Sequence, residues 1–186
     1  MITLAHRHLL RALIPSLIVA AAFSQTTPLP FKPVAFEYSK TLDRLILISS
    51  NPNRLHIYDP STSQTVSVTL AQPPLSLSVS PDGLRAAVAH DGLISYADLE
   101  KGTLLKTFNV PAVITGIVVT SSWIYTVGNY YASLSSVNIA SGEVIPNSAV
   151  FSMTAGKFNP TVNAIYGTRD GTSPNDVESG IFRQAL

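Results

Sequence analysis

From residue 34 onward the apolar positions fall into short runs rich in β-branched and aromatic residues, each closed by turn-formers. Some runs alternate, as in Thr65-Val66-Ser67-Val68-Thr69-Leu70, which reads as a strand with one wet face. Others are almost continuously apolar, as in Thr115-Gly116-Ile117-Val118-Val119, which reads as a strand buried on both faces. Runs of about five or six residues recurring every ten or so are an all-β signal. Helix fails as the competing reading. No window beyond residue 30 keeps apolar residues at i, i+3, i+4 and i+7 past about two turns, and Pro or Gly interrupts most candidates.

The runs are themselves periodic. Ile57-Tyr58-Asp59-Pro60-Ser61-Thr62 returns as Tyr96-Ala97-Asp98-Leu99-Glu100-Lys101-Gly102 and again as Val137-Asn138-Ile139-Ala140-Ser141-Gly142. Asp59, Asp98 and Asn138 lie 39 and 40 residues apart, the spacing of a repeat built from one small four-stranded sheet. The predicted strands of the first repeat are 34–38, 44–49, 54–58 and 65–70. Those of the second are 75–79, 85–89, 93–97 and 103–108, and those of the third are 114–120, 123–128, 132–138 and 144–150. A fourth repeat supplies 154–158, 164–168 and the beginning of a strand at 177–182. Inner strands that are apolar throughout and outer strands that alternate suit the blades of a β-propeller, where inner strands pack between neighbouring blades. The expected fold is therefore all-β, a partial β-propeller of about three and a half blades, over residues 34–74, 75–113, 114–153 and an incomplete 154–186. Seven blades at this period need roughly 290 residues, so the first and last blades are expected to present uncovered apolar faces.

The N-terminus departs from this pattern. His6, Arg7, His8 and Arg11 precede the apolar stretch 12–23, with small residues at Ala22 and Ser24, as in an export signal cleaved before Gln25 or, alternatively, after Ala22. Arg11 cuts the apolar run short of the roughly 20 residues a membrane-spanning helix requires. Residues 1–24 are thus expected to be a signal peptide and 25–33 a short leader, giving a secreted or periplasmic product with no membrane span after cleavage. Loss of Arg7 and Arg11 turns the formal charge of +1 into a slight negative excess and leaves no Lys/Arg cluster, which argues against nucleic acid as a partner. With no cysteine, disulfides, thiolate metal sites and a Cys nucleophile are excluded together.

The turn Ser80-Pro81-Asp82-Gly83, followed by Leu84-Arg85-Ala86-Ala87-Val88-Ala89, resembles the YVTN/WD40-like and TolB-like β-propeller repeats, in which such a turn joins the first two strands of a blade. Pro presets φ, Asp caps the turn through its side chain and Gly takes positive φ. The first and third repeats depart from that pattern, with Ser39-Lys40-Thr41-Leu42-Asp43 and Thr120-Ser121-Ser122 in its place. The resemblance implies a fold, covering about residues 34 to 182, and leaves the activity open, because such propellers host many functions.

In that fold the loops between second and third strands share a face with the links between blades. This face would carry Asn53, Arg54, His90, Asp91, Asn129, Tyr130, Tyr131, Arg169 and Asp170. Such a ring could hold a protein or glycan ligand, with Tyr130 and Tyr131 stacking and Arg169 or Asp91 making polar contacts. The competing explanation is turn chemistry, since tight turns call for Asn, Asp and Gly in any case. Two histidines, His56 and His90, without a spaced carboxylate set make no metal site, and no cofactor is expected. No Gly-x-Ser-x-Gly or phosphate-binding glycine loop is present, and Asp59 and Asp98 recur as turn residues rather than as a catalytic pair. The expectation is an exported, non-enzymatic binding or scaffolding module that is a fragment of a larger propeller. One alternative is a propeller-class enzyme, similar to lactonases or amine-dehydrogenase subunits, that lacks part of its site. The other is a half-propeller completed by a second copy.

Overall fold

A computed structural model describes residues 28–114, 116–127, 134–147, 155–169 and 180–185. The expected signal peptide at 1–24 lies outside them. Among the described residues the chain forms fourteen strands in four antiparallel sheets. In the first, β1 (Ala35–Ser39), β2 (Arg44–Ser50), β3 (Asn53–Asp59) and β4 (Gln64–Thr69) lie side by side in chain order. The second orders β5 (Ser76–Val79), β6 (Arg85–Asp98) and β7 (Thr103–Val113). The third holds β8 (Gly116–Val119), β9 (Trp123–Val127), β10 (Leu134–Asn138) and β11 (Val144–Asn147), and the fourth β12 (Ala155–Asn159), β13 (Ala164–Arg169) and β14 (Gly180–Ala185).

The long β6 replaces the two strands expected at 85–89 and 93–97, yet it cannot be straight. Fourteen extended residues span on the order of 40 Å, while Arg85 Nη2 lies 3.3 Å from Asp98 Oδ2 and the Leu99 amide donates to the Leu84 carbonyl at 3.0 Å. The run folds back on itself at Asp91-Gly92, where Gly92 takes φ +69°. Its two arms are the middle strands of a blade, so the second repeat has the same plan as the first.

Each blade packs on the next through side chains that alternate along the inner strands. Ala86 and Val88 join Ile46, Ile48, Leu55 and Ile57 in the core between the first two blades. Ala87 and Ala89, pointing the other way, join Ile94, Phe108, Ile117, Val119 and Ile124 in the core toward the third. Val118 then turns to Ile165 of the fourth. Each fully buried Ile or Leu stabilises the stack by roughly 1.5–3 kcal/mol, which makes these interfaces the main source of cohesion. The outermost β4 is exposed at every position but Val68; its alternating sequence predicts one wet face, and Val66 on the apolar face is left open as well.

The first strands β1, β5, β8 and β12 lie against one another in succession, side by side at a common centre. Their backbones are stitched by side chains of the preceding blade. The Val79 amide donates to Glu37 Oε2 at 3.0 Å, and the Val119 amide donates to Ser78 Oγ at 3.2 Å. Glu37, Ser78, Val118 and Lys157 occupy the same position in the four repeats, and the first and last of these form an ion pair. Residues equivalent in sequence therefore converge at the centre of the stack. Among the described residues no helix is long and apolar enough to cross a membrane.

Candidate functional site

The turns between second and third strands lie at the same end of the blades as the inter-blade links, as the repeat plan requires. The Asn53 carbonyl accepts from the Leu70 amide at 3.0 Å, where the first blade hands over to the second. His90 Nδ1 lies 3.1 Å from the carbonyl of Pro73 in that same link. Of the expected loop-face residues, Asn53 is half-buried, and Arg54 and Asp91 are exposed. Asn129, Tyr130, Tyr131 and Asp170 lie outside the described residues, as does the side chain of Arg169.

His90 is placed differently from the expectation. Reversal at Asp91-Gly92 takes only two residues, so His90 stays in the strand and its ring turns into the sheet, 0% exposed. Because Nδ1 faces a carbonyl, which can only accept, that nitrogen carries the proton. Nε2 then accepts from the Ser95 hydroxyl at 2.9 Å. Burial lowers the pKa of this ring, against a smaller opposing effect of the Pro73 and Gln72 carbonyls. His90 supports the loop face from beneath and offers it no free nitrogen.

A matching arrangement occupies the first blade with the residue types exchanged. His56 stands where Ser95 stands in the second repeat, three residues before the turn aspartate, and Ser49 stands in the place of His90. The Ser49 hydroxyl donates to the Pro52 carbonyl at 2.7 Å, so its oxygen accepts from His56 Nε2–H at 2.9 Å. His56 Nδ1 accordingly accepts from Ser67 Oγ–H at 2.9 Å. Phe31 from the leader stacks on the imidazole, centroids 3.8 Å apart and planes 7° from parallel. The ring is 4% exposed, and burial first, then the charge of Arg54, lowers its pKa. Both histidines are neutral struts for the loop above them. In the third repeat Ser135 takes the place of His56 and Ser95, and its buried hydroxyl has no partner among the described residues.

The opposite end is built from the turns between first and second and between third and fourth strands. Asp59 Oδ1 accepts from the Ser61 hydroxyl at 2.6 Å, the Ser61 amide at 2.8 Å and the Thr62 amide at 3.3 Å. The Ser61 hydroxyl above all, with these amides, holds the carboxyl down to about 2 in spite of desolvation. Asp98 Oδ1 accepts from the Lys101 amide at 2.9 Å, and Asn138 Oδ1 from the Ala140 and Ser141 amides, both at 3.0 Å. The recurring Asp and Asn are thus turn caps. Sequence reasoning missed what the other carboxylate oxygens do: Asp59 pairs with Arg44 at 2.9 Å and Asp98 with Arg85 at 3.3 Å, each closing the hairpin that joins second and third strands. The available signal was the shared place of the two arginines, each at the start of a second strand. Also missed was a cleft of about 290 Å³ between the first two blades, with Ile57, Val66 and Leu99 on its apolar wall.

Four antiparallel sheets stacked by their first strands make this chain a β-propeller-like all-β protein. A solved structure of hydrazine synthase from Kuenenia stuttgartiensis is similar, with a TM-score of 0.66 at 15% identity, covering 87% of this chain and 48% of that one. The chain thus spans about half the length of this neighbour, and at such identity the likeness is one of fold and transfers no activity. No protein-family model matches the chain, and no curated protein matches it by sequence.

Proposed function

We propose that this chain is an exported, non-enzymatic β-propeller repeat module of the YVTN/WD40-like kind that acts in binding or scaffolding within a larger propeller. The observation that carries the reading is the unequal covering of the blades. The second blade buries apolar side chains toward both neighbours, through Ala86 and Val88 on one side and Ala87 and Ala89 on the other. The first shares a core with a neighbouring blade toward the second only, although on its other face Leu47 is buried and Phe31 stacks on His56. On that face Phe36 is 68% and Tyr38 53% exposed, in the strand that lies innermost in the stack. Large apolar groups at that position favour a further sheet packed against them.

The cover is either additional blades or a second copy of the chain, and the same exposed face favours both. Sedimentation of the chain from Gln25 onward separates them. A dimer of fixed mass supports pairing of copies, and association that grows with concentration supports a face made for further blades. The double substitution Phe36→Ser, Tyr38→Ser should abolish either. A soluble monomer with one sharp unfolding transition would defeat the reading. For ligand binding at the loop face, protein and glycan screens with Tyr130→Ala, Tyr131→Ala and Asp91→Ala are the test, and unchanged binding removes that face from consideration.

A further inference from the structure

The junction between the second and third blades contains a built-in ligand that the junction between the first and second lacks. Lys106 of β7 extends across to the third blade, where its Nζ donates to the carbonyls of Ile139 at 2.8 Å and Ala140 at 2.9 Å. A pair of turn carbonyls thus holds a primary ammonium at the end of an aliphatic stem.

The same pair is repeated one blade earlier. The Leu99 amide donates to the Leu84 carbonyl as the Ile139 amide donates to that of Ser122, both at 3.0 Å. Asp98 caps its turn as Asn138 does, and Gly102 and Gly142 end the two turns with φ +63° and +80°. Leu99 and Glu100 therefore stand where Ile139 and Ala140 stand. The residue facing them is different. Val66 pairs with Ile57 as Lys106 pairs with Tyr96, so Val66 occupies the lysine's place. A cleft remains there, and Val66 is 54% exposed beside it.

The chemistry around the cleft suits a cation on an apolar stem. Leu42, Ile57 and Leu99 line it, and Glu100 lies at its edge. Arg44 is already engaged, through Nη2 with Asp59 and through Nη1 with the carbonyls of Leu42 at 3.0 Å and Asp43 at 2.9 Å, so three of its five N–H donors are held within the blade. Lys101 is the remaining cation on the rim.

We propose that this cleft binds a primary ammonium on an unbranched aliphatic stem, held by the carbonyls of Leu99 and Glu100 as Lys106 is held by those of Ile139 and Ala140. The source is either a free alkylamine or the lysine side chain of a peptide. The inference rests on repeat equivalence and is independent of whether the propeller is completed by other blades. It is tested by nuclear magnetic resonance on the isotopically labelled full chain, titrated with n-butylammonium, with n-butanol and with the peptide acetyl-Gly-Lys-Gly-amide.

Saturable shifts of the Leu99 to Gly102 amides in the millimolar range are expected with n-butylammonium and not with n-butanol. A peptide that binds more tightly than the amine identifies a protein lysine as the source, and the reverse order identifies the free amine. Val66→Lys should supply the ammonium in cis and abolish the shifts. Lys106→Met should vacate the other junction and bring new shifts at Ile139 to Gly142, an arm that stands whether or not the first variant folds. Equal response to n-butanol, no saturation into the tens of millimolar, or shifts that persist in a folded Val66→Lys protein would each overturn the proposal.

Discussion

Replacing Gly83 by Ala tests whether adjacent blades are locked together at their turns. Ser39 Oγ donates to the Gly83 carbonyl and Thr41 Oγ1 to the Asp82 carbonyl, both at 2.6 Å, so two hydroxyls of the first blade clasp the Ser-Pro-Asp-Gly turn of the second. Gly83 has φ +74°, and a Cβ there would come within 2.8 Å of Thr41 Oγ1, 3.0 Å of Ser39 Oγ and 3.0 Å of Thr41 Cβ. The left-handed conformation costs an alanine about 1 kcal/mol. Pushing the clasp aside adds roughly 1–3 kcal/mol of overpacking and puts at risk two hydrogen bonds worth about 1 kcal/mol each. The expected loss is therefore about 3 kcal/mol.

Gly92→Ala is the internal control. Its φ is +69°, but the nearest atom to a new Cβ is the Val110 carbonyl oxygen at 3.6 Å, so only the conformational cost of about 1 kcal/mol applies. Urea unfolding followed by Trp123 fluorescence and by far-ultraviolet circular dichroism measures both variants. In a Ser39→Ala, Thr41→Ala background the penalty of Gly83→Ala should shrink by a coupling of about 1 kcal/mol or more. If Gly83→Ala costs no more than Gly92→Ala, the two turns are merely adjacent and the clasp does not hold the blades.

Further outcomes follow from the same structure. The left-handed position ending the third-to-fourth turn is Ser63 in the first repeat, φ 59°, where the other two have Gly102 and Gly142, so Ser63→Gly should stabilise the chain by about 0.5 kcal/mol in urea unfolding. Asp59 titrates at about 2 when folded, below the ordinary carboxylate range of roughly 4, so its contribution is complete above that range and is lost as pH falls toward 2; Asp59→Asn should flatten this part of the stability profile. His56 and His90 are lowered from 6.5, so the unfolded chain binds more protons and stability falls as pH drops below 6.5, by at most about 1.4 kcal/mol per pH unit for each ring. His56→Gln with His90→Gln should remove that slope, and a slope unchanged in the double variant would show that other groups cause it.

Strand positions were legible because burial in a blade is written directly into the chain. Residues 117–119 are apolar in succession since each neighbouring blade takes one side of β8, and 65–70 alternate since β4 borders water. The turn caps were legible for the same reason: Asp and Asn at one position in three repeats answer one geometric need. The departure of the first and third repeats from Ser-Pro-Asp-Gly proves smaller than the letters suggest. Ser39, Ser80 and Thr120 hold one register position with a hydroxyl; Ser80 and Thr120 accept from the first amide of the second strand, that of Arg85 and of Trp123, both at 3.0 Å, and Ser39 from the Leu42 amide within its turn at 3.3 Å. Less legible was the depth of a polar side chain. His90 stands beside Asp-Gly and so reads as a loop residue, and only the register of the reversal shows that its ring faces into the sheet.

Aligned by register rather than by letters, the repeats separate two kinds of polar residue. At one kind of position each repeat solves the same local problem, and the residue types are interchangeable. His56 with Ser49 and His90 with Ser95 are the same diagonal pair with its members exchanged, and both brace a loop against a proline carbonyl. At the other kind the repeats differ because their neighbours differ. Glu37 and Lys157 share one position yet carry opposite charge, which suits the two ends of a stack that meet at a common centre. Val66 and Lys106 share another, and the exchange leaves one inter-blade cleft open where the other is filled. Chemistry specific to this chain is therefore to be sought where equivalent positions diverge: at the centre between first strands and in the cleft beside Val66.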